Sequence, residues 1–269
     1  MTLLQAALLG IVQGLTEFLP VSSSGHLILT RHLLGLSSED ETAFVFDVLV
    51  QMGTWLALLV YYRQDLLAIG RDMLRSMITR KAEPSNARLG WLIIVATLPA
   101  IVVGWWLRDS MSGELSGLTA TGFFLLGTAL LLVVAEVFGR RRLNVAQLTA
   151  GDALWIGFFQ SLALLPGVSR SAATLSGGMT RNLNRPQAAR FAFLMAVPVM
   201  PGAALVAWLQ LGSLAGASAL WMPLLVGFVA SAIVGYFCIR WLINYLSKRS
   251  LFPFAAYCIA VGSLAIFFG

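Results

Sequence analysis

Gln13-Gly14-Leu15-Thr16-Glu17-Phe18-Leu19-Pro20-Val21-Ser22-Ser23-Ser24-Gly25-His26 interrupts an otherwise apolar stretch over residues 2–36. A second apolar stretch, 148–180, is broken in the same manner by Pro166-Gly167-Val168-Ser169-Arg170-Ser171-Ala172-Ala173-Thr174. Each half of these stretches is too short to cross a bilayer, which takes about 20 apolar residues. Helix, Pro/Gly/Ser break and short helix read together as a re-entrant helical hairpin. Such backbone is tolerated at membrane depth only where protein buries it or where it lines a cavity.

The surrounding sequence agrees. Of 269 residues, 58% are hydrophobic and 11% charged, less than half of the roughly 25% charge of a soluble domain. With a mean hydropathy of +0.83, a soluble enzyme, a nucleic-acid module and a disordered chain are excluded. Apolar runs near 43–62, 89–107, 118–138, 190–211, 219–239 and 251–268 read as six transmembrane helices. None alternates with period two, which excludes an outer-membrane barrel. The expected fold is therefore an all-α integral membrane protein of six transmembrane helices plus two re-entrant helical hairpins. Cys238 and Cys258 lie in apolar runs without metal or redox spacing. The N-terminal stretch does not read as a signal peptide, since no Lys or Arg precedes Arg31 and Glu17 interrupts it.

Cations orient the chain. Arg63, Arg71, Arg75, Arg80, Lys81, Arg88, Arg140, Arg141, Arg142, Arg181, Arg185, Arg190, Arg240, Lys248 and Arg249 fall on one face, leaving only Arg31, Arg108 and Arg170 of the 18. The opposite loops carry Glu39, Asp40, Glu41, Asp109 and Glu114. The net charge of +6 thus follows the positive-inside rule and calls for no nucleic-acid partner. The basic face is cytoplasmic and both termini lie outside. At an offset of 147 residues, Gly10, Gln13, Leu15, Val21, Ser22 and Ser24 match Gly157, Gln160, Leu162, Val168, Ser169 and Ser171. The chain therefore divides into a first repeat, 1–140, and a second, 148–269, each a hairpin plus three spans. Three is odd, so the halves insert with inverted topology, and sites in such proteins lie at broken-helix tips near the midplane.

The tips carry the chemistry. Gln13 and Glu17 are four apart and share a helix face; a carboxylate in the hydrocarbon region marks function by default. One serine of the Ser22-Ser23-Ser24 run serves as a helix cap, and three exceed that need. His26 lies three residues after Ser23, so in a helical turn it can reach the Ser23 hydroxyl as base to nucleophile. At the second tip, Arg170 requires an anion, and Ser169 and Ser171 flank it at a helix start, where unpaired N–H groups favour phosphate. An oxyanion fits the shared cluster. Asp47 is open between a site role and a favourable place early in its helix, and Glu136 is expected to pair with Arg140 one turn on.

On these residues the chain resembles the undecaprenyl-pyrophosphate phosphatases, membrane enzymes linked to bacitracin resistance. The resemblance runs end to end and rests on the intact patterns Glu/Gln-x-x-x-Glu with Pro-Val-Ser-Ser-(Ser/Thr)-Gly-His, and Pro-Gly-x-Ser-Arg-Ser-x-x-Thr. Gln13 occupies a position that is often Glu in this family, which weakens any role for it as a metal ligand. The resemblance implies hydrolysis of undecaprenyl pyrophosphate to undecaprenyl phosphate and inorganic phosphate, assisted by a divalent cation, Mg2+ or Ca2+. That reaction recycles the carrier lipid for peptidoglycan synthesis at the bacterial inner (plasma) membrane, with the site open to the outer, periplasmic face. The partners expected are the polyprenyl pyrophosphate substrate and membrane lipids, with a homodimer as a possible assembly.

Pyrophosphate cleavage relies on positioning and charge stabilisation. Arg170 is the expected clamp, because its planar fork holds two oxygens at once. Ser23 is the expected nucleophile and His26 its base; Glu17 holds the cation or orients His26. Gln13, Ser22, Ser24, Ser169, Ser171 and Thr174 bind substrate, whose apolar tail lies between helices open to lipid. Direct attack by a metal-activated water is a variant. The rival reading is a polyprenyl-phosphate flippase or anion transporter, since inverted repeats with broken helices are common in transporters.

Overall fold

The computed structural model describes residues 1–37, 41–79, 85–107, 117–165, 167–213 and 220–269. Glu39, Asp40, Arg80, Lys81, Arg108, Asp109, Glu114 and Pro166 lie outside the described residues. The first hairpin is α1 (Leu3–Thr16) and α2 (Ser23–Leu33), followed by α3 (Glu41–Tyr61), α4 (Arg63–Thr79), α5 (Ser85–Leu107) and α6 (Leu118–Phe138). A 3-10 turn, Val145–Gln147, leads to the second hairpin, α7 (Ala150–Leu162) and α8 (Arg170–Thr180), and then α9 (Arg185–Ser213), α10 (Trp221–Leu246) and α11 (Phe252–Phe268).

Five of these helices are long and apolar enough to cross a membrane: Glu41–Tyr61, Ser85–Trp106, Leu118–Phe138, Arg185–Leu209 and Trp221–Leu246. The protein is an all-helical multi-pass membrane protein. The sixth expected span corresponds to α11, an apolar helix of 17 residues, about 25 Å at 1.5 Å per residue and at the short limit for crossing.

One element departs from expectation. Residues 63–79, read as part of a cationic loop, form α4. Its Ile69 and Asp72 turn toward the protein, while Leu67, Leu74 and Ile78 form an exposed apolar row beside Arg71 and Arg75. Counting arginines for topology hid this amphipathic period, which suits a helix lying in the membrane interface. Asn86 at the start of α5 donates to Asp72 at 2.8 Å and, together with Arg71, holds that carboxyl below its ordinary range.

Because lipid is as apolar as a leucine side chain, close packing and polar contacts hold these helices together. Small residues permit the approach: a Cβ on Gly10 of α1 would collide with the Gly227 carbonyl of α10, and one on Gly157 of α7 with the Ala96 carbonyl of α5. Ser231 of α10 donates to the Val50 carbonyl of α3 at 2.7 Å. Pro201 in α9 lacks the N–H that would bond the Val197 carbonyl, and the Trp55 indole takes that carbonyl at 3.0 Å.

Glu136 ties three helices at one end of the bundle. It accepts from Arg141 at 2.9 Å, from Arg185 Nε at 3.0 Å and from the Leu251 N–H at 3.2 Å. The expected partner, Arg140, is displaced from the next turn because α6 stops at Phe138 and Gly139 is already extended.

Candidate active site

Glu17 sits just past the last turn of α1, its N–H still bonded to the Gln13 carbonyl at 2.9 Å. Pro20 cannot continue that helix. The chain then turns through Ser22, whose φ of 73° is the left-handed conformation, unusual for a serine. Ser22 caps α2, its hydroxyl accepting from the Gly25 N–H at 3.3 Å. Ser23, the first residue of α2, thereby points back toward the turn.

Glu17 is the centre of the cluster and is only 5% exposed. Its Oε2 accepts from Gln13 Nε2 at 2.8 Å and from the Ser23 hydroxyl at 2.7 Å. Its Oε1 accepts from Arg170 Nη2 at 2.5 Å and from Gln51 Nε2 at 3.3 Å. A buried carboxylate is costly unless paired and fully hydrogen-bonded, and these four donors meet that requirement. Nη1 of Arg170 is buried with no hydrogen-bond partner among the described residues. A guanidinium nitrogen left bare beside a satisfied carboxylate is a seat for a second anion.

Two further hydrogen bonds join the hairpin tips: the Ser171 hydroxyl donates to the Leu19 carbonyl at 2.9 Å, and the Gly167 N–H to the Ser24 hydroxyl at 3.4 Å. Gly167 has φ +99°, and a side chain there would press on Thr121 of α6. The tips therefore bring together the N-terminal ends of α2 and α8, with their unpaired N–H groups and positive dipole ends. Ser169 caps α8 through the Ala172 N–H at 3.2 Å, and its own N–H donates to Thr128 of α6 at 3.1 Å. Hydroxyl pairs Ser22–Ser24 and Ser169–Ser171 stand 3.3 and 3.0 Å apart.

One expected contact is not formed. Ser23 bonds Glu17 rather than His26. His26 Nδ1 lies 2.7 Å from the Ser22 carbonyl, which can only accept, so in the neutral ring Nδ1 carries the proton. Nε2 then accepts from the Tyr257 hydroxyl at 2.8 Å, with the two rings stacked. Thr174 is buried, its hydroxyl donating to the Arg170 carbonyl one turn back at 2.8 Å. Asp47, open between a site and a structural role, pairs with the buried Arg31 at 2.6 Å, a link between the ends of α2 and α3.

Sequence reasoning missed Gln51, Tyr257, Thr121 and Thr128. An amide in the middle of an apolar run was a signal for Gln51; a tyrosine among apolar residues carries none. Thr121 is fully buried, with a hydroxyl lacking a partner among the described residues. No three of His, Cys, Asp and Glu gather at metal-binding distance among the described residues. The donor set is one carboxylate, amide carbonyls and hydroxyls. That set fits a hard cation whose shell is completed by phosphate oxygens, as magnesium commonly is, rather than a dedicated protein cage.

These features define a multi-pass, all-helical membrane protein with a buried site suited to oxyanions. The chain belongs to the family described as bacitracin resistance protein BacA, whose pattern matches residues 6–264. An undecaprenyl-diphosphatase from Trichlorobacter lovleyi is 41% identical over 264 residues, 97% of this chain and 95% of that protein. One from Rubrobacter xylanophilus is 42% identical over 267 residues, 97% of this chain and 96% of that protein. Another, from a Nocardioides species, is 38% identical over 266 residues, covering 98% and 95%.

Proposed function

We propose that this protein hydrolyses undecaprenyl pyrophosphate to undecaprenyl phosphate and inorganic phosphate at the Glu17–Ser23–Arg170 cluster. The observation that carries the reading is the buried Nη1 of Arg170, without a partner among the described residues, on a guanidinium whose Nη2 bonds the carboxylate that holds the Ser23 hydroxyl. The terminal phosphoryl group sits against Nη1 and the N-terminal ends of α2 and α8. Ser23 Oγ attacks the terminal phosphorus while its proton passes to Glu17 Oε2. The bond from that phosphorus to the bridging oxygen breaks, and undecaprenyl phosphate leaves with the bridging oxygen. Water then attacks the phosphoserine. Nε2 of His26, unprotonated and released by Tyr257, accepts the water's proton, and the Ser23 oxygen recovers its own as phosphate leaves. Gln13, Ser22, Ser24, Ser169 and Ser171 orient the oxygens and the carboxylate. A Mg2+ or Ca2+ ion arriving on the pyrophosphate would be held by Glu17, with phosphate oxygens completing its shell, and would neutralise phosphate charge.

The finer architecture belongs to the same proposal. Residues 1–140 and 148–269 form inverted repeats, each with a re-entrant hairpin, both termini outside and the site open to the periplasmic face of the inner membrane. Support comes from the hairpin helices: α2 and α8 begin, and end, at positions 147 residues apart. Gly10 and Gly157, matched at that offset, make equivalent close contacts to α10 and α5. The exposed apolar rows of α5 and α9 face membrane lipid, and a homodimer would cover part of the same surface.

Phosphate release from undecaprenyl pyrophosphate by purified protein in detergent tests the activity. Robust release that Ser23→Ala abolishes supports it; a flippase or anion transporter releases none. The relatives' names and the serine held on a carboxylate favour hydrolysis.

A further inference from the structure

Between α3, α9 and α10 lies an apolar groove of about 550 Å3, with Met52, Pro201, Ala204, Trp208, Trp221 and Leu225 among its walls and no charged side chain in its lining. Its size falls in the ~300–1,000 Å3 range of ligand sites. We propose that it seats the first isoprene units of the substrate's tail, an inference that rests on the hydrolase reading above.

The groove begins where the polar cluster ends. Met52 follows Gln51, which bonds Glu17, and Pro201 follows Met200, whose sulfur lies 3.6 Å from Arg170 Nη2. Two walls of the groove are thus one residue from side chains that touch Glu17 or Arg170, so a ligand with its anionic head at Arg170 has the groove within reach of an apolar, branched tail. Pro201, Ala204 and Trp208 share one face of α9, a run of about 10 Å at 1.5 Å per residue. At the far end Trp208 and Trp221 meet edge to face, with ring centroids 5.8 Å apart. The carbonyl freed by Pro201 is satisfied from α3 by Trp55, which ties α9 to α3. Tryptophans gather at the lipid–water boundary, so the groove runs from the site to the outer interface, and the remaining tail trails into lipid.

Ala204→Phe and Leu225→Trp fill the groove from opposite walls without touching the polar cluster. Each is expected to raise KM for undecaprenyl pyrophosphate about tenfold or more, with kcat within about twofold, in protein that remains monodisperse. A wild-type KM in a folded variant overturns the proposal. A polyprenyl pyrophosphate analogue with a diazirine on its second isoprene unit, photolysed with unaltered protein, gives an independent readout. Labelling of Leu205, Trp208 or Leu225 is expected, and labelling confined to other helices overturns the groove even if both variants misfold. Absence of phosphate release by wild-type protein, with labelling still in the groove, sinks the hydrolase reading instead.

Discussion

Removing the Arg170 side chain separates two roles that the structure assigns to its two terminal nitrogens. Nη2 pairs with Glu17 at 2.5 Å, and Nη1 is buried without a partner among the described residues. Arg170→Ala strands a carboxylate that is 5% exposed. Breaking a buried pair this way costs ~3–5 kcal/mol; Gln13, Ser23 and Gln51 still donate to Glu17, so the low end, ~3 kcal/mol, is expected. Adding Glu17→Gln removes the stranded charge and should recover on the order of 2 kcal/mol of that loss. Activity behaves differently. Losing an oxyanion donor costs ~100–1,000-fold, so Arg170→Ala should fall at least that far, and Glu17→Gln should restore none of it. Arg170→Lys keeps the charge but not the fork. It should fold nearly as wild type and lose about a hundredfold in kcat. Thermal unfolding in detergent reads the first role and phosphate release the second. Wild-type turnover by folded Arg170→Ala would refute the clamp; failure of Glu17→Gln to stabilise Arg170→Ala would refute the pair.

Ser23→Ala, Glu17→Gln and the double variant should show similarly low turnover, because groups acting as a unit are non-additive; losses that multiply would separate them. Tyr257→Phe deletes a hydroxyl that orients the His26 ring through Nε2 and should lower kcat about tenfold with KM unchanged, less than the ~100–10,000-fold of an acid–base group itself; a change in KM alone would make Tyr257 a substrate contact. Single cysteines at Arg71 and Arg141 should resist an impermeant thiol reagent in intact cells, while cysteines at Thr2 and Gly269 react; reaction at Arg141 would reverse the topology.

The turns were readable because proline, glycine and serine cannot continue an apolar helix without a reason, and the meeting of Glu17 with Arg170 followed from placing two such turns at one depth. What could not be read depends on side-chain direction. His26 and Ser23 are three apart, but Ser23 at the first helical position points back to Glu17, and the imidazole turns to a carbonyl in its own turn and to Tyr257, 231 residues away. Glu136 was assigned by helical spacing to Arg140, and a helix end at Phe138 handed it to Arg141 and Arg185. α4 was missed because one set of arginines served two readings, charge marking and amphipathic spacing.

The hydrogen bonds between the hairpin tips also have a time dimension. Glu17 and Arg170 are 153 residues apart, and Leu19 and Ser171 are 152 apart. At synthesis rates of ~5–20 residues per second, the first hairpin exists for roughly 8–30 s before its partner emerges. During that interval its buried acid has no cation and the Leu19 carbonyl no donor from the second tip, a state that hydrocarbon does not tolerate. In the proposed re-entrant topology the first hairpin would therefore wait near the interface or inside the insertion machinery, sinking to depth only with the second. Biogenesis of the site is a paired, late event, and a nascent chain stalled before Arg170 should leave Glu17 within reach of water.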